Sequence, residues 1–151
     1  MTTTELQQVL VSRNPLPVLT PTHVWDPKLS SLIDALDGSE LVKAGLHLWN
    51  DDLARCHAIA QRSEDPDHNY WHAIMHRREK EFDNSLYWYG RVEAHPVLGL
   101  LKQLHRSWDV ERFVESCRVA GTGGEEFPGL LPLQAEEMYL LYTHCASITQ
   151  G

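Results

Sequence analysis

The chain has 151 residues, of which 42% are hydrophobic and 23% are charged, a composition that can build a packed core and excludes a disordered or collagen-like chain. Its 21 acidic and 13 basic residues give a formal net charge of −8, which argues against binding to duplex nucleic acid or to an anionic membrane surface. The length predicts one compact domain.

The sequence also bears on where the protein is found. No apolar run approaches the roughly 18 residues that a membrane-spanning helix needs. The opening residues, MTTTELQQVLVSRNP, lack the basic and apolar regions of a secretory signal. The three cysteines, at positions 56, 117 and 145, have no CxxC spacing and are typical of reduced thiols. We therefore expect a cytoplasmic protein that binds neither membranes nor nucleic acid.

Residues 1–25 are predicted to form an extended N-terminal arm that follows a short turn or helix. Pro15, Pro17 and Pro21 each block helix continuation, because proline fixes φ and lacks a backbone donor. Residues 26–151 are predicted to form a single helical domain.

From residue 26 onwards the pattern predicts about seven or eight short helices. Asp26-Pro27 and Asp65-Pro66 each combine a capping side chain with proline at the first helical position. Apolar residues recur at helical spacing, alternating β-branched runs are absent, and the connections are short. The predicted fold class is therefore all-α, built from antiparallel helical hairpins.

Two helix boundaries and one loop concern the candidate site. A helix is expected from Pro66 to about Glu81, and the helix before it is expected to be capped by Asn50 or Asp51. The stretch at 121–129, GTGGEEFPG, is predicted to be a flexible linker or lid. It lacks the preceding strand and the Lys-Ser/Thr pair of a phosphate-binding loop.

Residues 65–96 form one predicted helix–turn–helix unit, which partly resembles a tetratricopeptide or Sel1-like repeat. The positions that carry the resemblance follow the order aromatic, small, aromatic, apolar and proline: Phe82, Ser85, Tyr89, Val92 and Pro96. The unit departs from the repeat because no glycine precedes the first aromatic residue, serine replaces the usual alanine, and no second copy is visible. A lone repeat cannot bury its own face, so the resemblance implies that neighbouring helices cover it.

Residues 46–96 also resemble an uncharacterised family of small helical proteins. The resemblance rests on the segments WHAIMHRRE and YWYGRV, together with LHLWNDDLARCHAIAQ at 46–61. It implies a helical fold and supplies no activity, cofactor or site residue.

A stripe of histidines marks the first helix of this unit. His68, His72, His76 and Glu79 are spaced so that they fall near one helix face. Imidazole nitrogens and a carboxylate at such spacing can converge on one divalent metal ion. The pair His72/His76 has the spacing that zinc enzymes use, although Ala73 stands where the H-E-x-x-H motif has glutamate.

A third metal ligand could come from His57 on the preceding helix, or from Asp51, Asp52 or His47. The corresponding function is a metal-dependent hydrolase or lyase, in which the metal lowers the pKa of a bound water and Arg77 holds an anionic substrate. The structural alternative is a hydrogen-bonded polar cluster that only orients the hairpin.

The leading hypothesis from the sequence is non-catalytic recognition of a protein partner or a small anionic ligand by the hairpin at 65–96. Its expected polar centre and apolar walls are His72, His76, Arg77, Glu79, Tyr70, Tyr87 and Trp88. The guanidinium groups of Arg77, Arg78 and Arg91 suit a carboxylate or phosphate, unless neighbouring acidic residues neutralise them. A third hypothesis is a structural subunit whose apolar edge is buried in a homodimer.

Overall fold

The computed structural model describes residues 1–120 and 129–148, and within them all regular secondary structure is helical. The predicted all-α class is therefore confirmed. The stretch at 121–128, which includes most of the predicted glycine-rich loop, lies outside the described residues. Helices of the described part are α1 (Thr3–Val11), α2 (Pro27–Asp34), α3 (Glu40–Trp49), α4 (Leu53–Ala60), α5 (Pro66–Arg78), α6 (Phe82–Tyr89), α7 (Pro96–Leu104), α8 (Val110–Ala120) and α9 (Leu130–Ile148). Among these helices, none is both long and apolar enough to cross a membrane.

The N-terminal segment contributes a helix to the core. Thr2 and Glu5 form a capping box that begins α1. Leu6 and Leu10, one helical turn apart, are fully buried, and α1 packs against α3. Helix α1 thus occupies the place of the short turn or helix expected before the arm, and from residue 26 onwards the described part has eight helices, α2 to α9, as predicted.

Helix α3 ends in a Schellman motif that turns the chain into α4. The N–H of Asp51 donates to the carbonyl of Leu48, and the N–H of Asp52 donates to the carbonyl of His47. Asp51 has a φ of 59°, the left-handed conformation that the motif requires just beyond the helix end. Asp52 then caps α4 by accepting the N–H of Arg55. The predicted cap at Asn50 or Asp51 is therefore wrong, because the motif itself occupies those positions.

Helix α5 ends in the same motif. The N–H of Lys80 donates to the carbonyl of Arg77, the N–H of Glu81 donates to the carbonyl of His76, and Lys80 has a φ of 65°. Helix α5 consequently ends at Arg78 and does not continue to about Glu81 as predicted. This turn returns the chain alongside the helix that it has just left.

Helix α5 is the centre of the fold. Every residue from Asn69 to Arg78 is buried, because α3, α4 and α6 pack around the helix. Helix α3 approaches it closely at Gly45, where a Cβ atom would lie 2.8 Å from the ring of Trp71. The buried part of α5 nevertheless includes two arginines and two histidines, so these polar groups must find partners inside the protein.

The guanidinium of Arg77 is 1% exposed and pairs with the fully buried carboxylate of Glu137 on α9, at 2.7 Å. Arg77 also donates to the hydroxyl of Tyr89 and to the amide oxygen of Gln134. The hydroxyls of Tyr70 and Tyr89 donate to the second oxygen of Glu137. This network joins α5, α6 and α9 and leaves no carboxylate oxygen of Glu137 without a donor.

Arg78 has a separate set of internal partners. It donates to the carboxylate of Asp51 at 2.6 Å and to the carbonyls of Leu48 and Val18. The other oxygen of Asp51 accepts from Arg13 at 2.9 Å. Two buried arginines and one carboxylate thus hold the N-terminal segment against the end of α3.

Replacing Glu137 by glutamine tests the first of these networks. The variant keeps the shape of the side chain but leaves the Arg77 charge buried without its counter-charge, which costs about 3–5 kcal/mol. We expect Glu137→Gln to lower the free energy of unfolding in urea by that order. The matched control Glu115→Gln, in an exposed pair with Arg118, should change it by less than about 1 kcal/mol. Equal stability of the two variants would contradict the network's structural role.

Candidate metal centre

Three histidine side chains from two helices meet on one side of α5. His57 lies on α4, and His72 and His76 lie one turn apart on α5. One ring nitrogen of each lies within 4.8 Å of those of the other two. The ring centroid of His57 is 4.9 Å from that of His72 and 5.4 Å from that of His76. The helical spacing aligns the pair, and the packing of α4 against α5 adds the third ring.

Glu81 fixes the tautomer of one of these rings. Its carboxylate oxygen lies 2.9 Å from Nδ1 of His76, and a carboxylate can only accept, so Nδ1 carries the proton. In the neutral ring the lone pair is then on Nε2. A carboxylate behind a histidine is the arrangement that supports histidine ligands in metal sites. The Schellman motif at the end of α5 places Glu81 there.

His72 is held in a buried, neutral state. Its side chain is stacked on Trp88, with ring centroids 4.0 Å apart, and the residue is 5% exposed. Its Nδ1 atom has no hydrogen-bond partner among the described residues. Desolvation, reinforced by His76 and His57, lowers the pKa of His72 to about 4, and desolvation likewise lowers the pKa of His57. Both rings therefore offer lone pairs at neutral pH.

Two carboxylates lie on the exposed side of the cluster. Glu79 and Glu81 bring oxygens within 4.8 Å of each other and of a His76 nitrogen. Desolvation and the neighbouring Glu81 raise the pKa of Glu79 to about 6, whereas the hydrogen bond with His76 lowers the pKa of Glu81. The cluster thus has an imidazole side within the helices and a carboxylate side towards solvent.

The other predicted site residues lie in several places. Tyr70 and Arg77 are in the network around Glu137 on another face of α5, away from the histidines. Tyr87 is 55% exposed. His68 pairs with Asp65 at the beginning of α5 and does not join the cluster. The structure therefore separates Tyr70 and Arg77 from the other five residues predicted to form one binding site.

The alternative third ligands are also engaged elsewhere. His47 pairs with Asp34 at 2.9 Å. Asp52 accepts from Ser30 and Arg55. Asp51, as described above, is shared by two arginines. Of the four candidates from the sequence, the structure brings only His57 to His72 and His76.

A second group, Asp67, His95 and His144, has the residue types of a metal site, but the tautomer of His95 does not suit a metal ligand. Its three ligand atoms also lie within 4.8 Å of one another. Nδ1 of His95 accepts the N–H of Val97 as the cap of α7, so the proton is on Nε2, which donates to Asp67 at 2.7 Å. Because a metal would need that Nε2 lone pair, the group fits a hydrogen-bonded cluster that ties α5, α7 and α9 together.

Comparison of the chain with protein-family models, curated proteins and solved structures finds no match. The resemblances of residues 65–96 and 46–96 stay predictions. The feature that bears on function is the geometry of the histidine cluster.

The buried histidines predict a pH-dependent stability for the metal-free protein. The unfolded state takes up a proton on His72 at about pH 6.5, whereas the folded state does so only near pH 4. The unfolded state therefore binds more protons in this interval, and stability falls as the pH falls through it. The contribution of His72 is of the order of 3 kcal/mol, fully present above about pH 6.5.

Urea unfolding in the presence of a chelator, repeated across this pH interval, measures the effect. His72→Phe keeps an aromatic ring against Trp88 and removes the titrating nitrogens, so the pH dependence should become shallower. The exposed His23 provides the control His23→Phe, which should leave the curve unchanged. Parallel curves for His72→Phe and the unmodified protein would contradict the burial of a neutral His72.

Proposed function

We propose that this protein binds a divalent transition-metal ion through His57, His72 and His76. The observation that supports the proposal is the convergence of three imidazole nitrogens from two packed helices within 4.8 Å. A metal ion bound to these nitrogens would hold each of them at about 2.0–2.1 Å.

The chemistry of the donors favours zinc. Imidazole suits Zn²⁺, Cu²⁺, Ni²⁺ and Fe²⁺, whereas Mg²⁺ and Ca²⁺ prefer carboxylate and carbonyl oxygens. The cysteines, all three buried elsewhere, do not belong to the cluster. A set of three imidazole nitrogens with a carboxylate behind one of them is typical of catalytic zinc sites, in which a water molecule takes the fourth position.

An open coordination position favours the metal-dependent hydrolase or lyase among the hypotheses from the sequence. A bound metal would supply a water of lowered pKa. Glu79 lies on the exposed side of the cluster, with a carboxylate oxygen within 4.8 Å of a His76 nitrogen. Arg77 has no part in this proposal, because its guanidinium is committed to Glu137.

Fewer residues now support the hypothesis that the hairpin at 65–96 recognises a ligand or a partner. Without Tyr70 and Arg77, which face the core, the groups of the hairpin that remain for a ligand are Tyr87, Trp88 and the histidines. A protein partner or a homodimer through the tetratricopeptide-like unit stays a prediction. The metal centre explains two observations that the recognition hypothesis does not. These are the position of His57 beside the other two histidines and the pairing of His76 with Glu81.

Metal analysis of untagged protein, purified without chelator and then equilibrated with Zn²⁺, tests the proposal. We expect close to one zinc per chain by mass spectrometry. The double variant His72→Ala/His76→Ala should lose it while keeping the helical circular-dichroism spectrum.

The matched control is His68→Ala, which removes a histidine from the same helix outside the cluster and should retain the zinc. Absence of stoichiometric metal in the unmodified protein after incubation with Zn²⁺, Co²⁺, Ni²⁺ and Fe²⁺ would overturn the proposal. Equal loss of zinc in His68→Ala would assign the metal to another site.

A further inference from the structure

One face of α6 extends from the histidine cluster to solvent. Asn84, Tyr87 and Trp88 follow one another at i, i+3 and i+4 on α6, and Arg91 follows just beyond the helix end, where its N–H donates to the carbonyl of Trp88. Asn84 Nδ2 lies 3.5 Å from Nδ1 of His76, and Trp88 stacks on His72. The helical part of the stripe therefore adjoins the metal ligands, and Arg91 lies in the turn just beyond the end of α6.

Arg91 is the cation of this stripe. Its guanidinium carbon lies 5.9 Å from the ring centre of Trp88 and 5.7 Å from that of Tyr87. Its side chain is 43% exposed, in contrast to the buried side chains of Arg77 and Arg78. The guanidinium is thus held over two aromatic rings beside the cluster, with part of its surface towards solvent.

The partner of Arg91 can be exchanged for a ligand. Its charged contact is with Glu64 at 3.3 Å, and the Glu64 side chain is 67% exposed. An ion pair between two exposed side chains contributes little to stability, because water and salt screen it. A carboxylate that is already anchored at the metal would compete well for the guanidinium, since the second contact is then intramolecular.

We propose that the metal centre binds a bifunctional ligand, in which a carbonyl-type oxygen coordinates the metal and a free carboxylate pairs with Arg91. The apolar chain between them lies over Trp88 and Tyr87. Acyl compounds with a carboxylate about one helical turn away, such as N-acyl amino acids or half-esters of dicarboxylic acids, have this pattern. This inference rests on the proposed function, because the ligand needs the metal as its first anchor.

Two hydroxamates of equal chain length separate the two contacts. A hydroxamate chelates the metal, and the monohydroxamate of glutaric acid ends in a carboxylate where pentanohydroxamate ends in a methyl group. Cobalt-loaded protein reports their binding through the visible spectrum of Co²⁺. We expect glutaric monohydroxamate to bind about tenfold more tightly than pentanohydroxamate, the effect of one charge-assisted contact.

Arg91→Gln should abolish this preference and leave cobalt loading unchanged. The control Arg62→Gln, which removes an exposed arginine paired with Glu40 near the end of α4, should retain it. Glu64→Gln, which frees the guanidinium, should increase the preference.

The outcomes distinguish this inference from the proposal on which it rests. If cobalt binds but the two hydroxamates bind equally to the unmodified protein, or if Arg91→Gln keeps the preference, the bifunctional ligand is wrong and the metal centre stands. If the histidine cluster binds none of Zn²⁺, Co²⁺, Ni²⁺ and Fe²⁺, both are wrong.

Discussion

The fold depends on pairing the buried charges of two adjacent arginines with internal carboxylates. Arg77 and Arg78 end the central helix α5, and both are almost completely buried. Removing a guanidinium from water is tolerated only where a counter-charge and further acceptors replace it. Arg77 therefore requires Glu137 from α9, and Arg78 requires Asp51 from the end of α3. These requirements fix how the last helix and the N-terminal segment pack around α5.

The histidine cluster follows from the same arrangement. With its arginines directed towards α9 and α3, helix α5 presents His72 and His76 to α4, where His57 joins them. The left-handed residue Lys80 then reverses the chain and places Glu81 against His76. A single buried helix thus has charged groups that hold the structure on some faces and two imidazole groups that could bind a metal on another. Structural and candidate functional residues are neighbours in sequence for this reason.

Local signals in the sequence predicted much of the fold and part of the cluster. Caps such as Asp65-Pro66 act on neighbouring residues, and the helical spacing of His72 and His76 is a local property. The assignment of Tyr70 and Arg77 to the same site failed because α5 is buried all round, so its periodicity does not separate an inner from an outer face. The roles of Glu81 and of the Asp67 group were missed for another reason. They depend on a left-handed lysine, a residue type without special preference for that conformation, and on contacts between distant helices.

X-ray absorption at the zinc edge of the loaded protein tests the central claim most directly, because it reports the atoms bound to the metal. A centre built from the three histidines predicts nitrogen and oxygen neighbours of the metal at about 2.0–2.1 Å, with the multiple-scattering features of about three imidazole rings. These features should decrease in number when His57 is replaced by alanine. A first shell that contains sulfur at about 2.3 Å, or one without imidazole scattering, would contradict a centre built from His57, His72 and His76.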